Sequence, residues 1–281
     1  MDWKEIGENT DHKVVSGFGK EWEDFDNEVL KDFESKEMFQ DYMAIFPWQS
    51  LPENPIGFDA GCGSGRWAKH VVPKVGVLHC LDASPEAIGV ARRVLSEYEN
   101  VIFHTESIDE FCIDEKSCDF GYSLGVLHHI PDTQSALNAC VAKLKPGAPF
   151  LAYLYYDLGH SSLHLRIIFN AVSFGRKIIS RLPYKFKKFV TDLIAFFIYY
   201  PLARFAKIAE LLGVKVSRFP LFQYRDRSFY VMRNDSLDRF GTSLEKRFSK
   251  EQIYSLFENA GLRDTYISPD PPWWVVLAWR A

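Results

Sequence analysis

The sequence predicts an α/β fold in which a mostly parallel sheet is covered by helices on both faces. Between Pro55 and Tyr156, short apolar runs typical of buried strands alternate with helical stretches. Repeated strand and helix units of this length require a mostly parallel sheet. The alternation resumes after residue 249, and a chain of 281 residues that is 47% hydrophobic is long enough to bury the core of such a sheet.

Seven strands are predicted from short apolar runs: 55–60, 76–81, 101–104, 120–127, 149–156, 264–267 and 274–279. Ser84 is the expected N-cap of the helix after the second strand, with Pro85 at its first position. A further helix is expected over 132–144. Ser249 is expected to cap the last helix, which Gly261 ends.

Charge and rhythm divide the chain into three parts. Residues 1–50 are expected to form an N-terminal helical cap, and residues 51–157 and 223–281 the α/β core. Residues 158–222 carry eleven Lys or Arg against two acidic residues, although the whole chain has a formal net charge of −4. This segment is apolar and helical in pattern, so we interpret it as a basic helical insertion that forms a lid over the acceptor.

A glycine-rich turn follows the first strand, in the sequence FDAGCGSG at 58–65. It differs from the dinucleotide-binding pattern, because Arg66 stands where the third glycine of that pattern would be. Asp59, directly before the glycines, disfavours a phosphate and suits a ligand with an ammonium group. Asp82, at the end of the second strand, is placed to accept hydrogen bonds from two ribose hydroxyls. Together these demands describe S-adenosylmethionine.

Five motifs in order, FDAGCGSG, LDASPEAI, ESIDEF, DFGYSLGVLHHIPD and LKPG, make residues 50–157 resemble the class I S-adenosylmethionine-dependent methyltransferase family. The resemblance implies a Rossmann-like, seven-stranded sheet, an enzyme, and S-adenosylmethionine as cofactor. It implies cofactor contacts at ten positions: Asp59, Gly61, Gly63, Gly65, Asp82, Ala83, Ser107, Ile108, Ser123 and Leu124. Members of the family often carry an acid where Ser107 stands, so Asp109 is an alternative contact to the adenine amine.

The segment from Ser16 to Phe25 resembles the N-terminal helix that closes over the donor in many relatives. Phe18 and Trp22 are then lid residues, with Trp22 against the cofactor; the alternative is that they only pack a capping helix onto the sheet. His128 and His129 follow the fourth strand at the edge where the donor methyl group points. One of them is the expected general base. The alternative is a purely structural strand-to-helix junction.

Acceptor contacts are expected from Tyr155, in the fifth strand, and from an aromatic and basic stretch that contains Tyr224, Arg225 and Tyr230. Arg225 suits an anionic group on a small-molecule acceptor, whereas surface salt bridges are the alternative for this stretch. Asp157, His160 and His164 have a spacing that admits a metal, but no metal is expected.

Two interpretations of the insertion stay open, a lid over the acceptor or a surface that docks on an anionic membrane and meets a lipid-linked acceptor. The lid is favoured, because core helices also need aromatic rings and Asp192 borders the most apolar run. That run, 193–203, is shorter than the ~18 residues of a membrane span. Five cysteines without a CxxC pair and an N-terminus without an apolar stretch favour a cytoplasmic protein. No nucleic-acid partner is expected, because the chain is acidic overall, and the oligomeric state is left open.

Overall fold

The computed structural model describes residues 7–25, 32–157, 172–217, 219–269 and 274–281. The chain forms two compact units. Unit 1 consists of Met1–Asn27, Ser35–Gly159 and Leu244–Ala281, and unit 2 of Glu28–Glu34 and His160–Ser243.

Unit 1 contains one seven-stranded sheet with the strand order β3-β2-β1-β4-β5-β7-β6. Its strands are β1 Ile56–Ala60, β2 Val77–Asp82, β3 Val101–Thr105, β4 Phe120–Leu124, β5 Pro149–Tyr153, β6 Leu262–Ile267 and β7 Val275–Arg280. Strands β1 to β5 pair in parallel, and β7 runs antiparallel to both β5 and β6. The predicted fold class, a mostly parallel sheet of seven strands with helices, is confirmed.

The helices are α1 His12–Asp24, α2 Asp32–Met43, α3 Ala68–Val71, α4 Pro85–Val94, α5 Thr133–Lys143, α6 at 172–179, α7 Tyr184–Ile194, α8 Tyr200–Leu211, α9 Phe229–Gly241 and α10 Lys250–Asn259. The predicted caps are present. The Ser84 hydroxyl accepts from the Ala87 N–H at 3.2 Å, and Ser249 forms a capping box with Gln252.

Strands β1 and β4, at the centre of the sheet, pack closely because a glycine of each strand lies beside a phenylalanine of the other. Gly57 pairs with Phe120, and Phe58 pairs with Gly121. A Cβ atom at Gly57 would lie 2.1 Å from the Phe120 ring, and one at Gly121 would lie 2.2 Å from the Phe58 ring. Both rings are fully buried, so the glycines fix how these two strands lie side by side.

Two predicted strands are longer than the structure shows. Strand β4 ends at Leu124 because Gly125 takes a φ of +80°, and residues 127–129 form a short 3-10 turn. Strand β5 ends at Tyr153, after which Tyr156 makes only an isolated bridge to Phe248.

Unit 2 is helical over its described residues, as predicted for the insertion, but it extends to Ser243 rather than to residue 222. The difference arises because α9 is bonded to α7. Arg233 forms a two-pronged ion pair with Asp192, at 2.7 and 2.8 Å, and the Lys187 ammonium donates to the Gly241 carbonyl at 2.7 Å.

A single continuous helix of 28 residues, Tyr184–Leu211, joins α7 and α8 through a π-helical turn at Ala195–Tyr199. It contains the apolar run at 193–203 and is far longer than that run. In length and composition it meets the requirements of a membrane-crossing helix, which the sequence pattern alone did not indicate.

Candidate cofactor crevice and active site

The glycine-rich turn forms a loop at the carboxyl end of β1. The Gly61 and Cys62 N–H groups both donate to the Leu81 carbonyl, at 2.8 and 2.9 Å, which ties the loop to β2. Gly61 and Gly63 have φ values of +84° and +53°, a left-handed conformation that disfavours other residues. A Cβ at Gly61 would lie 2.4 Å from the Val126 side chain, so the loop also needs glycine for space.

Asp82 faces this loop from the end of β2. One carboxylate oxygen accepts from the Gly63 N–H at 2.9 Å, and the other accepts from the Ser84 N–H at 2.9 Å. Each oxygen keeps a second lone pair for a ligand hydroxyl. Asp82 is partly exposed as a residue, but burial of its carboxyl group raises the pKa to about 6. The hydrogen bonds from the Ser84 and Gly63 N–H groups act against this rise.

Asp59 lies deeper in the same crevice. Its side chain is 1% exposed, and its Oδ2 has no hydrogen-bond partner among the described residues. Burial raises its pKa to about 8, and the neighbouring Asp82 adds to the rise. The Tyr122 phenol beside Asp59 acts against this rise in pKa, although neither the Asp59 Oδ2 nor the Tyr122 hydroxyl is hydrogen-bonded to a described residue. The crevice thus holds two buried carboxyl groups, at Asp59 and Asp82.

Helix α1 covers the crevice. Gly19 packs on Ser84, since a Cβ there would lie 2.5 Å from the Ser84 hydroxyl oxygen. One turn further along α1, the Trp22 indole lies where a Cβ on Gly63 would come within 2.8 Å of it. The Arg66 guanidinium lies over the Trp22 ring at 4.9 Å. Trp22 therefore lies directly against the glycine loop, and its contact with a cofactor stays a prediction.

The segment before α1 continues this cover across the sheet edge. Gly7 donates its N–H to Glu110 at 3.1 Å and lies over Ser107, whose buried hydroxyl has no partner among the described residues. Asn9 and Asp132 exchange two hydrogen bonds: the Asn9 amide donates to the Asp132 carbonyl at 2.8 Å and accepts from its N–H at 2.6 Å. Hydrogen bonds to Glu110 and to Asp132 thus hold the segment before α1 in place.

His128 and His129 form a buried pair after β4, with ring centroids 4.1 Å apart. The His129 Nδ1 lies 2.7 Å from the Leu244 carbonyl oxygen. Because a carbonyl only accepts, Nδ1 carries the proton and Nε2 is the basic nitrogen. Phe18 of α1 lies 5.1 Å from the His129 ring, so α1 also covers this pair.

His128 stacks on Tyr155, with ring centroids 3.9 Å apart. Neither of its ring nitrogens has a hydrogen-bond partner among the described residues. Burial holds the pKa of His128 well below its usual value, and the neighbouring His129 contributes to the lowering. The ring is neutral at physiological pH. Tyr155 therefore lies against the histidine pair, and its contact with an acceptor stays a prediction.

The other predicted cofactor positions line the same edge. The Ser123 hydroxyl donates to the Ala60 carbonyl at 2.8 Å, and Leu124 is the last residue of β4. The Ile108 side chain packs into the hydrophobic core, which leaves only its backbone for a ligand. Ala83 follows Asp82 directly. Their contacts to a cofactor stay predictions.

Three predicted acceptor residues belong to unit 2. Tyr224 is buried and packs on Tyr199 at 5.4 Å between centroids. Arg225 pairs with Glu210 at 2.6 Å, the salt-bridge arrangement that was its alternative. Tyr230 lies in the second position of α9. Asp157 ends a described segment, whereas His160 and His164 lie outside the described residues.

Sequence reasoning missed two parts of this site. Tyr122 faces Asp59 from the middle of β4, and only the alternation of side chains along that strand would have signalled its direction. The hydrogen bonds between Asn9 and Asp132 join residues 123 positions apart, and no local sequence pattern predicts them.

Residues 58–147 match the family described as "Methyltransferase domain". A curated relative, the ubiquinone biosynthesis O-methyltransferase of Aromatoleum aromaticum, is 31% identical over 112 residues, which are 36% of this chain and 48% of that protein. The chain therefore spans about half the length of the curated relative it matches.

Two solved structures share the fold. An O-methyltransferase family protein from Burkholderia thailandensis has a TM-score of 0.52 at 12% identity, covering 88% of this chain and 56% of its own. A SAM-dependent methyltransferase from Thermotoga maritima has a TM-score of 0.50 at 13% identity, covering 94% and 99%. At these identities the likeness concerns the fold alone.

Proposed function

Since this chain carries a class I S-adenosylmethionine-dependent methyltransferase domain, we propose that it is an enzyme that methylates an oxygen or nitrogen atom of a small or medium-sized organic acceptor. The observation that carries the proposal is the pair of carboxyl groups at Asp59 and Asp82 on either side of the glycine loop. Asp82 carries a charge at neutral pH and Asp59 gains one beside a cation, so the crevice favours a cationic nucleoside over a pyrophosphate.

The described residues fit S-adenosylmethionine at three points. The unpartnered Oδ2 of Asp59 suits an ammonium group, the free lone pairs of Asp82 suit two ribose hydroxyls, and the buried Ser107 hydroxyl suits the edge of the adenine. Each ligand group would satisfy a polar atom that the protein leaves unsatisfied or partly satisfied. When bound, this cofactor supplies a methyl group on a positively charged sulfur.

The protein's part in methyl transfer is to align the acceptor atom with that methyl group and to exclude water. Helix α1, with Phe18 over His129 and Trp22 over Gly63, provides the cover. The aromatic rings of Tyr153 and Tyr155, whose centroids are 5.8 Å apart, stand beside the histidine pair and suit a planar acceptor.

Within the pair, we assign the general base to His129. Its Nδ1 proton is fixed by the Leu244 carbonyl, which leaves Nε2 to take a proton from an acceptor hydroxyl or amine. Burial lowers the pKa of His128, which disfavours it as the base, and its unpartnered nitrogens suit a hydrogen bond that orients the acceptor. An oxygen acceptor is favoured by the O-methyltransferase relative.

Calorimetry with S-adenosylmethionine and with its demethylated product tests the first half of the proposal. Binding of both, with an affinity that falls in an Asp82→Ala variant, is expected; no binding of either would refute it. Incubating the protein with methyl-labelled donor and a cell extract then tests the second half. A labelled product identifies the acceptor, whereas tight donor binding without any labelled product would mark a protein that only binds the nucleoside.

A reducing, cytoplasmic location is part of the proposal. All five cysteines are free thiols, and Cys112 among them is exposed. Proteins of oxidising compartments seldom contain five free thiols, one of them exposed. Alkylation of the native protein at Cys112 after gentle lysis, without prior reduction, is the expected result.

A further inference from the structure

The continuous helix Tyr184–Leu211 of unit 2 exposes large apolar side chains along one side. Seven of them are between 55% and 78% exposed: Phe186, Phe189, Phe196, Phe197, Phe205, Ile208 and Leu211. Apart from the adjacent pair Phe196 and Phe197, successive members lie three, seven or eight residues apart, which is about one or two helical turns. They therefore share one side of the helix, which we call the apolar face. Ordinary soluble domains seldom expose so many large apolar side chains on one element.

The opposite side of the same helix is already occupied. Thr191, Ala195, Tyr199, Ala203 and Ala206 are buried at a spacing of three or four residues. Around them the helix is bonded to α9: the Ser236 hydroxyl donates to the Thr191 carbonyl at 2.9 Å, and the Tyr199 hydroxyl donates to Asp235 at 3.0 Å. Within unit 2 the helix thus has one buried side, which packs on and is hydrogen-bonded to α9, and an exposed apolar side.

This arrangement suits a helix that lies along a membrane surface rather than one that crosses it. A helix of 28 residues is about 42 Å long, which is enough to span a bilayer. A crossing, however, would carry the Asp192 and Arg233 ion pair and the charged side chains of α9 into hydrocarbon. Lying flat, the helix immerses only its apolar face and leaves α9 in water.

The charged residues beside the helix indicate the kind of lipid. The exposed cations Lys177, Arg181 and Lys185 lie before and at the start of the helix, whereas the run 193–203 carries no charge. Cations beside an apolar face are the arrangement that attracts anionic headgroups and then inserts rings below them. We propose that the apolar face of unit 2 docks the protein on an anionic lipid membrane.

Two considerations from the sequence favoured a lid instead, and the structure weakens both. Aromatic rings were expected to be needed in a helical core, but the rings of the apolar face are exposed. Asp192 was expected to keep the run out of lipid, but its carboxylate is bonded at both oxygens by Arg233. Docking does not depend on methyl transfer, so its failure would leave the proposed function intact.

Flotation of the full-length protein with vesicles tests the docking directly. Vesicles of phosphatidylcholine alone are compared with vesicles that contain one third phosphatidylglycerol, at low and high salt. Flotation with the anionic vesicles at low salt is expected, with much less on neutral vesicles and a marked loss at high salt. Absence of flotation with anionic vesicles at low salt would overturn the proposal.

A double variant, Phe189→Ser with Phe197→Ser, tests which face inserts. Its vesicle affinity is expected to fall at least about tenfold. The matched control, Tyr254→Ser with Tyr266→Ser, changes two aromatic residues of unit 1 that are each 47% exposed and should leave the affinity unchanged. Circular dichroism and donor binding check that both variants remain folded.

Two further outcomes would contradict docking on a surface. Protein that stays in the membrane after an alkaline carbonate wash would indicate a spanning helix. A dimer in solution that the double variant abolishes, without any vesicle binding by the parent chain, would assign the apolar face to a second copy of the chain.

Discussion

Gly19 of α1 lies directly against Ser84, the residue that caps α4. A Cβ at Gly19 would lie 2.5 Å from the Ser84 hydroxyl oxygen and 3.0 Å from a Glu86 carboxylate oxygen. That hydroxyl cannot turn aside easily, because it accepts from the Ala87 N–H and donates to Glu86 at 2.8 Å. Helix α1 reaches the crevice only because residue 19 has no side chain.

A Gly19→Ala variant is therefore expected to push α1 away from Ser84 and to weaken donor binding by about tenfold, the equivalent of roughly 1.4 kcal/mol. Gly17→Ala is the matched control in the same helix, since a Cβ there meets no atom within 4 Å. It should stabilise the helix by about 0.5–1 kcal/mol and leave donor binding unchanged or tighter. Calorimetry measures both affinities, and equal affinities in the two variants would show that α1 does not cover the donor.

Asp82→Asn tests the ribose position. Asparagine presents an amide N–H₂ to one of the two backbone N–H donors at Gly63 and Ser84, so that one hydrogen bond is lost along with the charge. A loss of roughly 1.5–3 kcal/mol in donor binding is expected, about 10- to 150-fold in affinity.

Asp119→Asn is the control for that change. Asp119 also accepts a backbone N–H, from Ile56 at 2.9 Å, but it stands at the opposite end of the sheet and pairs with Lys145. This variant should lose stability without losing donor affinity. If Asp82→Asn binds the donor as tightly as Asp119→Asn does, the ribose site lies elsewhere.

Asp59 makes donor binding depend on pH. With a pKa raised to about 8, this carboxyl is largely protonated in the empty crevice at neutral pH. A ligand ammonium group beside it lowers that pKa, so binding releases a proton and strengthens as pH rises from about 6 toward 8. Calorimetry in two buffers with different ionisation enthalpies counts the released proton. An equal heat in both buffers, once each is corrected for dilution, would contradict the assignment.

The same carboxyl also affects stability. Its folded pKa lies above its unfolded pKa, so its contribution to stability is fully present below pH 3.8 and is lost as pH rises to about 8. Replacing it with asparagine removes this dependence. Asp59→Asn is expected to be more stable than the parent protein near pH 7, by about 1–4 kcal/mol in the absence of donor, while it binds the donor less tightly. Denaturant unfolding at pH 5 and pH 8 measures the difference, which should be smaller at pH 5.

The fold and the glycine loop could be predicted from the sequence because their signals are local. The run at 58–65 contains the end of β1, the left-handed turn and Asp59 within eight residues, and Ser84 and Pro85 mark the start of α4 beside Asp82. Each follows from backbone chemistry that a neighbouring residue cannot easily change.

The rest of the site depends on contacts between distant segments. Asn9 meets Asp132 across 123 positions, and the position of the His129 proton is set by a carbonyl 115 positions away, at Leu244. The true ends of β4 and β5 also depended on neighbours, since Gly125 donates its N–H to the Tyr153 carbonyl where both strands stop. No single-sequence pattern contains such pairings.

The histidine pair gives the sharpest test of the acceptor side, because two conservative changes separate its members. In His129→Asn, the new amide can still donate to the Leu244 carbonyl, so the local structure is kept while the basic nitrogen Nε2 is removed. With the acceptor found by methyl labelling, kcat is expected to fall about 10²- to 10⁴-fold at unchanged donor affinity.

In His128→Phe, stacking on Tyr155 is kept and two unpartnered buried nitrogens disappear, so the protein should become more stable. Its KM for the acceptor should rise, whereas kcat should change far less than in His129→Asn. The opposite pattern, with the large loss of kcat in His128→Phe, would transfer the role of base to His128.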